Sequence, residues 1–530
     1  MKIETFSRKL FNYYNDTQIK LAENQESLSD FIGLPFSLES FKKQIDLKKD
    51  NFSSDSRKLL KTHFEHQYNG IEISSSIETN IKLLENKNSF TITTGQQLTL
   101  FGGPAFFFYK IIHCISITQK LKELYPEFHF IPVFWLASED HDKTEISETT
   151  IFNQNFCWEN DFNGATGEFA LDENFNVIKN SISEFFSKSE NKEIKDHISA
   201  FEGKTLSEGF IRFLTSLFKD YGLLVLDANS KILKNQLIPL FKNEINEFST
   251  HKNVSETDLL LIQRGFEPQA KIQPINFFKL SENRRSKIQY KDNKFFISDI
   301  EISKEKLLLD IGDNPETFSP NVFLRPLFQE LILPNIAYIG GPGELSYWMQ
   351  LKNNFIHYSI PYPILINRIS IYYIDSTTEK KRNNFNFSFV DFINNTFDEL
   401  KKTYIQSTQD FTNLNWESVD NHITSALLES REIFQKNTPE IESFLESEWK
   451  NLEKITERLK VKVQKQISTK HDIEIKQIEQ IRNKLVPNTI PQERYFHFFT
   501  FCPDGSINLM RELIQEIDPF SSEILVVTHE

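Results

Sequence analysis

Ser138-Glu139-Asp140-His141-Asp142 sets four ionisable side chains into five positions, directly after the apolar run Phe130–Ala137. Burial beside like charges would drive their pKa values apart and create an acid and a base. Asp140 and Asp142 share one face if the strand continues, with His141 on the other. Such a group could hold an amine, position a metal or move a proton. It would equally serve as a solvated loop or the cap of a following helix. No second His or Cys cluster accompanies it, so the reading assigns no metal ligands and expects no zinc.

Two glycine turns could meet an anion. Thr94, Gly95, Gln96 and Gln97 lead into Gly102, Gly103 and Pro104, where exposed N–H groups at a helix start attract negative charge. Neither Walker A nor G-x-G-x-x-G spacing occurs, and a glycine-capped tight turn is the alternative. Gly340, Gly341 and Gly343 open a second helix carrying Glu344, Tyr347 and Trp348. The aromatic pair could stack on a base or sugar, or belong to the core. Arg325, near Gln329, could clamp a carboxylate bidentately. Lys110, in the apolar helix after Pro104, and Asn367-Arg368, after Tyr362–Ile366, complete the substrate-binding candidates. Gln492-Glu493-Arg494 reads as a salt-bridged helix start, with a part in a ligand site as the other reading.

These residues need elements to hold them. Phe90–Thr93, Phe130–Ala137, Leu223–Asp227 and Ile336–Ile339 read as strands, each ending in Gly, polar or charged residues. Helical stretches separate them, which predicts an α/β domain with a mainly parallel sheet and a ligand site beyond its carboxyl ends. Residues 1 to about 85 read as helical. Segments near 150–220 and 250–320 read as polar insertions, the second containing Arg284, Arg285, Lys287 and Lys291 and forming a β-rich piece. From 385 to 490 the texture changes. Leu452, Ile455, Leu459, Val463 and Ile467 step by three or four, and Ile478, Ile481 and Leu485 resume the spacing. This predicts a long antiparallel coiled-coil arm. Residues 491–530 are expected to return to a core made from 1–384.

The chain has 530 residues, 39% hydrophobic and 25% charged, enough for about three domains. Sixty basic against 74 acidic residues leave a net charge of −14, which argues against a nucleic-acid partner. Cys114, Cys157 and Cys502 are too few and too scattered for a disulfide framework, so a reducing cytosol fits. The opening MKIETFSRKLFNYYND shows no secretory signal. Leu98–Ile117 is interrupted by glycines, Pro104, Lys110 and His113, so no membrane span is expected.

TGQQLTLFGGPAFFFYK, PVFWLASEDHD, LRPLFQELILPN, YIGGPGELSYWMQLK and PQERYFHF occur in this order. The series resembles the cysteine-adding enzymes of bacillithiol biosynthesis, the BshC family, over essentially the whole chain. The resemblance implies a Rossmann-like core related to class I aminoacyl-tRNA synthetases, with connecting-peptide insertions and a helical coiled-coil arm. It implies a homodimer that joins the carboxyl of cysteine to the amine of glucosaminyl malate. By analogy with that fold, ATP or another nucleotide, with Mg, activates the carboxyl as an adenylate. Glu139, Asp140, His141 and Asp142 would then bind or deprotonate the amine, and Arg325 or Arg368 would hold malate carboxylates. Gln96-Gln97 stands where class I synthetases carry a His-rich turn. The alternatives are a non-catalytic scaffold for bacillithiol enzymes, using the arm, and a nucleotidyltransferase-like enzyme acting on another amine.

Overall fold

The computed structural model describes residues 1–282, 284–437 and 439–529. At its centre lie five strands: β1 (Ser89–Gln96), β2 (His129–Leu136), β3 (Leu224–Asp227), β4 (Asn335–Gly340) and β5 (Ile364–Asn367). Every neighbouring pair is parallel. The spatial order is β3-β2-β1-β4-β5. This is a doubly wound sheet whose order reverses between β1 and β4, the place where such sheets bind ligands. The strands are buried almost throughout, as parallel strands covered on both faces must be. Buried polar groups inside the sheet are satisfied: Thr91 and Thr93 donate to Asn335 Oδ1 at 3.2 and 2.7 Å, and Thr94 donates to the Ile339 carbonyl at 2.8 Å.

Helix α1 (Phe106–Leu124) carries the crossover from β1 to β2 and is buried over most of its length. Helices α2 (Arg325–Ile332) and α3 (Pro342–Trp348) flank β4. Both begin with proline in the first turn, where the missing N–H costs no hydrogen bond.

The segment from 1 to 85 departs from its helical reading at the start. Lys2–Phe6 is a strand, antiparallel to Ile524–His529, which in turn runs parallel to Ser370–Asp375. A five-residue strand whose partner lies at the other end of the chain leaves no local periodicity to read. The first insertion holds the hairpin Glu148–Ile151/Gln154–Cys157 and then helices such as Leu206–Phe218. In the second, the strands Phe277–Ser281, Arg284–Lys291, Lys294–Ile297, Ile300–Ile302 and Phe318–Pro320 make an antiparallel sheet.

The helical region after the sheet contains α4 (Trp416–Asn437), α5 (Glu442–Lys470) and α6 (Asp472–Leu485). The long helix expected from the heptad-like spacing breaks at His471, between α5 and α6. Gln435 bonds Glu442 at 2.9 Å, and Arg431 pairs with Glu446 and sits 5.3 Å above the Trp449 ring, so falling numbers on α4 meet rising numbers on α5. α4 buries no side chain, and α5 buries only Trp449 and Ile467. Helix α6 instead packs Ile478, Ile481 and Leu485 into a core with Tyr372, Phe389 and Val526. Among the described residues no helix is long and apolar enough to cross a membrane.

Candidate active site at the sheet switch point

A cleft of about 670 Å³ opens at the carboxyl ends of β1, β2 and β4. Its size suits a small-molecule ligand. Gly95 and Gln96 line it from β1 with Gln97 just beyond, and Ser138, Glu139 and Asp140 from the segment after β2. Arg325 comes from α2, and Glu344 and Tyr347 from α3. The insertion adds Lys271, Arg285 and Lys287.

Lys110 ties the switch point together. Its Nζ donates to the Gly95 carbonyl at 2.8 Å, to Gln96 Oε1 at 2.8 Å and to Glu344 Oε2 at 2.7 Å. All three ammonium donors are thereby spent and the side chain is buried, so Lys110 positions the cleft and does not reach a substrate. Glu344 also accepts from the Tyr338 hydroxyl, the Tyr347 hydroxyl at 3.4 Å and the Gly341 N–H at 3.2 Å. Burial pushes its carboxyl up, but Lys110 and Arg325 outweigh burial and hold it below the usual range. Arg325 is the freer cation. Its contacts are long: 3.2 Å to Gln329 Oε1 and 3.4 and 3.5 Å to the hydroxyls of Tyr347 and Tyr338. A carboxylate or phosphate in the cleft could replace the tyrosine contacts with two short bonds.

The acidic cluster after β2 is divided. Glu139 pairs with the fully buried Lys234. Asp140 Oδ2 accepts the Gln97 amide at 2.6 Å, and its Oδ1 lies 3.6 Å from Arg285. Burial would raise Asp140, but the Gln97 hydrogen bond and Arg285 prevail and keep it low. His141 shares the Arg285 guanidinium at 3.1 Å and is half exposed outside the cleft. Asp142 caps the short helix Lys143–Ile146 by accepting the Glu145 N–H. This is the capping arrangement that the sequence offered as the alternative.

Other candidates do not come together with the cleft. Gly102 and Gly103 sit at positive φ, and a Cβ there would meet the Phe108 ring at 2.9 Å and Thr99 at 2.6 Å. They make the tight glycine turn, and their N–H groups are spent on the Thr99 and Leu100 carbonyls at 2.8 and 2.9 Å. Gly340 packs against Leu345, the Gly341 N–H is taken by Glu344, and Gly343 has open space around it. None of the three lines the cleft. Trp348 is fully buried and stacked on Tyr338 at 4.6 Å, which makes it a core residue. Gln329 is buried behind Arg325, and its amide donates to Glu330 Oε1 at 3.0 Å. Asn367 is buried outside the cleft. Arg368 is spent on Glu493, at 2.9 and 2.6 Å, and has no donor pair for malate.

Sequence reasoning passed over Glu145, Lys271, Arg285 and Lys287. The signal for two of them was present. Arg285 and Lys287 alternate along a strand, which puts both on one face.

Residues 1–369 match the family model for the bacillithiol biosynthesis BshC N-terminal Rossmann-like domain, and residues 371–529 match its C-terminal coiled-coil domain. The chain belongs to the BshC family. A Christiangramia forsetii protein named "Putative cysteine ligase BshC" is 33% identical over 98% of this chain and 97% of its own length. A Flavobacterium psychrophilum protein of the same name is 31% identical over 100% of both chains. For this BshC-family chain, the boundary between the matched domains falls at Ser370, where the strand that pairs with the C-terminal strand begins.

Proposed function

We propose that this chain is a carbon–nitrogen ligase of bacillithiol biosynthesis, joining the cysteine carboxyl to the amine of glucosaminyl malate. The name of its relatives, cysteine ligase, suggests the cysteine. The observation that carries the reading is the mixed charge of the switch-point cleft: Lys271, Arg285, Lys287 and Arg325 line it together with Glu139, Asp140, Glu145 and Glu344. Both substrates carry an ammonium and at least one carboxylate, so a cleft of one sign would serve neither.

The strand order supports the proposed kinship with class I synthetases and an adenylate route. The residues present fit a nucleotide through side chains, not through a glycine loop. Lys271 has no acidic partner among the described residues, and Arg325 has only long contacts. On this reading the cysteine carboxylate, oriented by Arg325, attacks the α-phosphorus of ATP with Mg and expels pyrophosphate. The amine then attacks the acyl carbon and AMP leaves.

Glu145 is the group that takes the ammonium proton. It lines the cleft, and burial, then Asp142 and Asp140, hold its carboxyl above the ordinary value. A carboxyl raised in this way is a better match to proton transfer near neutral pH than Asp140. Glu145→Gln should lower kcat about a hundredfold or more. The wild-type acidic limb should lie above pH 4.5, because a raised carboxyl stays protonated to higher pH, and the variant should lack it. An unchanged limb in the variant would exclude Glu145.

We also assign the arm to dimerisation in an antiparallel coiled coil, because Leu428, Leu452, Ile455 and Leu459 are exposed on α4 and α5. The experiment for the whole proposal is a mass-spectrometric product assay. Protein with cysteine, glucosaminyl malate, ATP and Mg should yield bacillithiol, and omission of ATP should abolish it. Absence of product from folded protein that binds both substrates would reject the ligase.

A further inference from the structure

A second cavity of about 350 Å³ lies beside the cleft, under the β-rich insertion. Gln273, Phe278, Lys287 and Asn321 line both, so the two form one branched space. The insertion strand Arg284–Lys291 runs along it. Alternation puts Arg285, Lys287 and Lys291 on one face of that strand, with Phe278 opposite Lys287 in the ladder. Arg285 and Lys287 reach the cleft, and Lys287 and Lys291 the side chamber.

The charge changes along this row. Arg285 is partly balanced by Asp140 at 3.6 Å. Lys287 and Lys291 have no acidic partner among the described residues, and no Asp or Glu lines the chamber. Its remaining walls include Ile275, Phe277 and Ile288. Low-dielectric walls beside unpaired cations focus a positive potential into the space.

We infer that the side chamber is an anion subsite that takes the carboxylates of the amine substrate. The inference rests on the proposed ligase reading. Cysteine has a single carboxylate, which must stay in the cleft to react. Glucosaminyl malate has two, set several bonds from its amine, so its amine can face Glu145 while its malate lies past Lys287. Nucleotide phosphates carry the same chemistry, but the crevice between β1 and β4 is the end of the space away from Lys291.

Titration calorimetry on the full chain tests this. The exposed pair Lys287→Gln/Lys291→Gln should weaken glucosaminyl malate at least about tenfold and flatten its salt dependence. Binding of glucosamine and of a non-hydrolysable ATP analogue should stay within about twofold. Equal loss for the ATP analogue would give the lysines to phosphates and overturn the assignment. Unchanged glucosaminyl malate affinity would overturn the subsite. If wild type ignores glucosaminyl malate but binds free malate through these lysines, the subsite stands and the ligase substrate falls.

Discussion

Replacing Glu493 by alanine is expected to lower the unfolding free energy by about 3–5 kcal/mol, the cost of leaving a buried charge without its partner. Arg368 and Glu493 form a two-pronged pair at 2.9 and 2.6 Å, with both side chains less than 5% exposed. Ser370 Oγ adds a bond at 2.7 Å and the Ile371 N–H one at 3.3 Å. The pair fastens the segment after the arm to the strand Ser370–Asp375, where the matched domains meet. Burial raises Glu493, but Arg368 overcomes it and sets the carboxyl below 4.5. A carboxyl depressed on folding adds stability that is full above its unfolded pKa and fades as pH falls through the lower folded value. The difference between wild type and Glu493→Ala should therefore be constant near neutral pH and shrink only below about pH 4.5. Chemical unfolding at pH 7 and pH 3 measures both. The double replacement Arg368→Met/Glu493→Leu should recover much of the loss, because no lone charge remains. Equal instability of single and double variants would show that packing, not charge, holds the junction.

Arg325→Lys is expected to cut kcat/KM about a hundredfold while leaving the unfolding transition near that of wild type. Arginine presents a planar fork that lysine cannot copy. The guanidinium lies 5.9 Å from the Trp135 ring centre and 5.5 Å from that of Tyr338, so its plane is held against the cleft wall. Lysine keeps the charge and loses the paired bonds, and a hundredfold corresponds to about 2.8 kcal/mol of transition-state binding. Steady-state kinetics with each substrate varied reads the effect. A variant within twofold of wild type for every substrate would remove Arg325 from the reaction.

Much of the central sheet is legible in the sequence. Phe130–Ala137 and Ile336–Ile339 are continuous apolar runs, and a strand buried on both faces needs them. The polar clusters at their ends marked the crevice, and Gly95, Glu139, Asp140, Arg325, Glu344 and Tyr347 do line it. What failed was the choice among polar residues at those ends. Gly102 and Gly103 could be read as an anion loop because glycine spacing is the same whether the space beside it holds a phosphate or Phe108. Arg368 looked available because its partner lies 125 positions away. Lys110 looked like a ligand because a helix sequence does not reveal which three acceptors surround a buried cation. Lys271 carries no pattern that would mark it in the sequence, because exposed lysines are common and only the fold brings it to the cleft.

The most direct test of the cleft as an amide-forming site follows the cysteine oxygens. The protein is supplied with cysteine labelled with ¹⁸O in both carboxyl positions, glucosaminyl malate, ATP and Mg, and product and nucleotide are weighed by mass spectrometry. Activation as an adenylate transfers one label to AMP and leaves one in the new amide of bacillithiol. Formation of bacillithiol with unlabelled AMP, or no bacillithiol from protein that binds both substrates, would contradict the account.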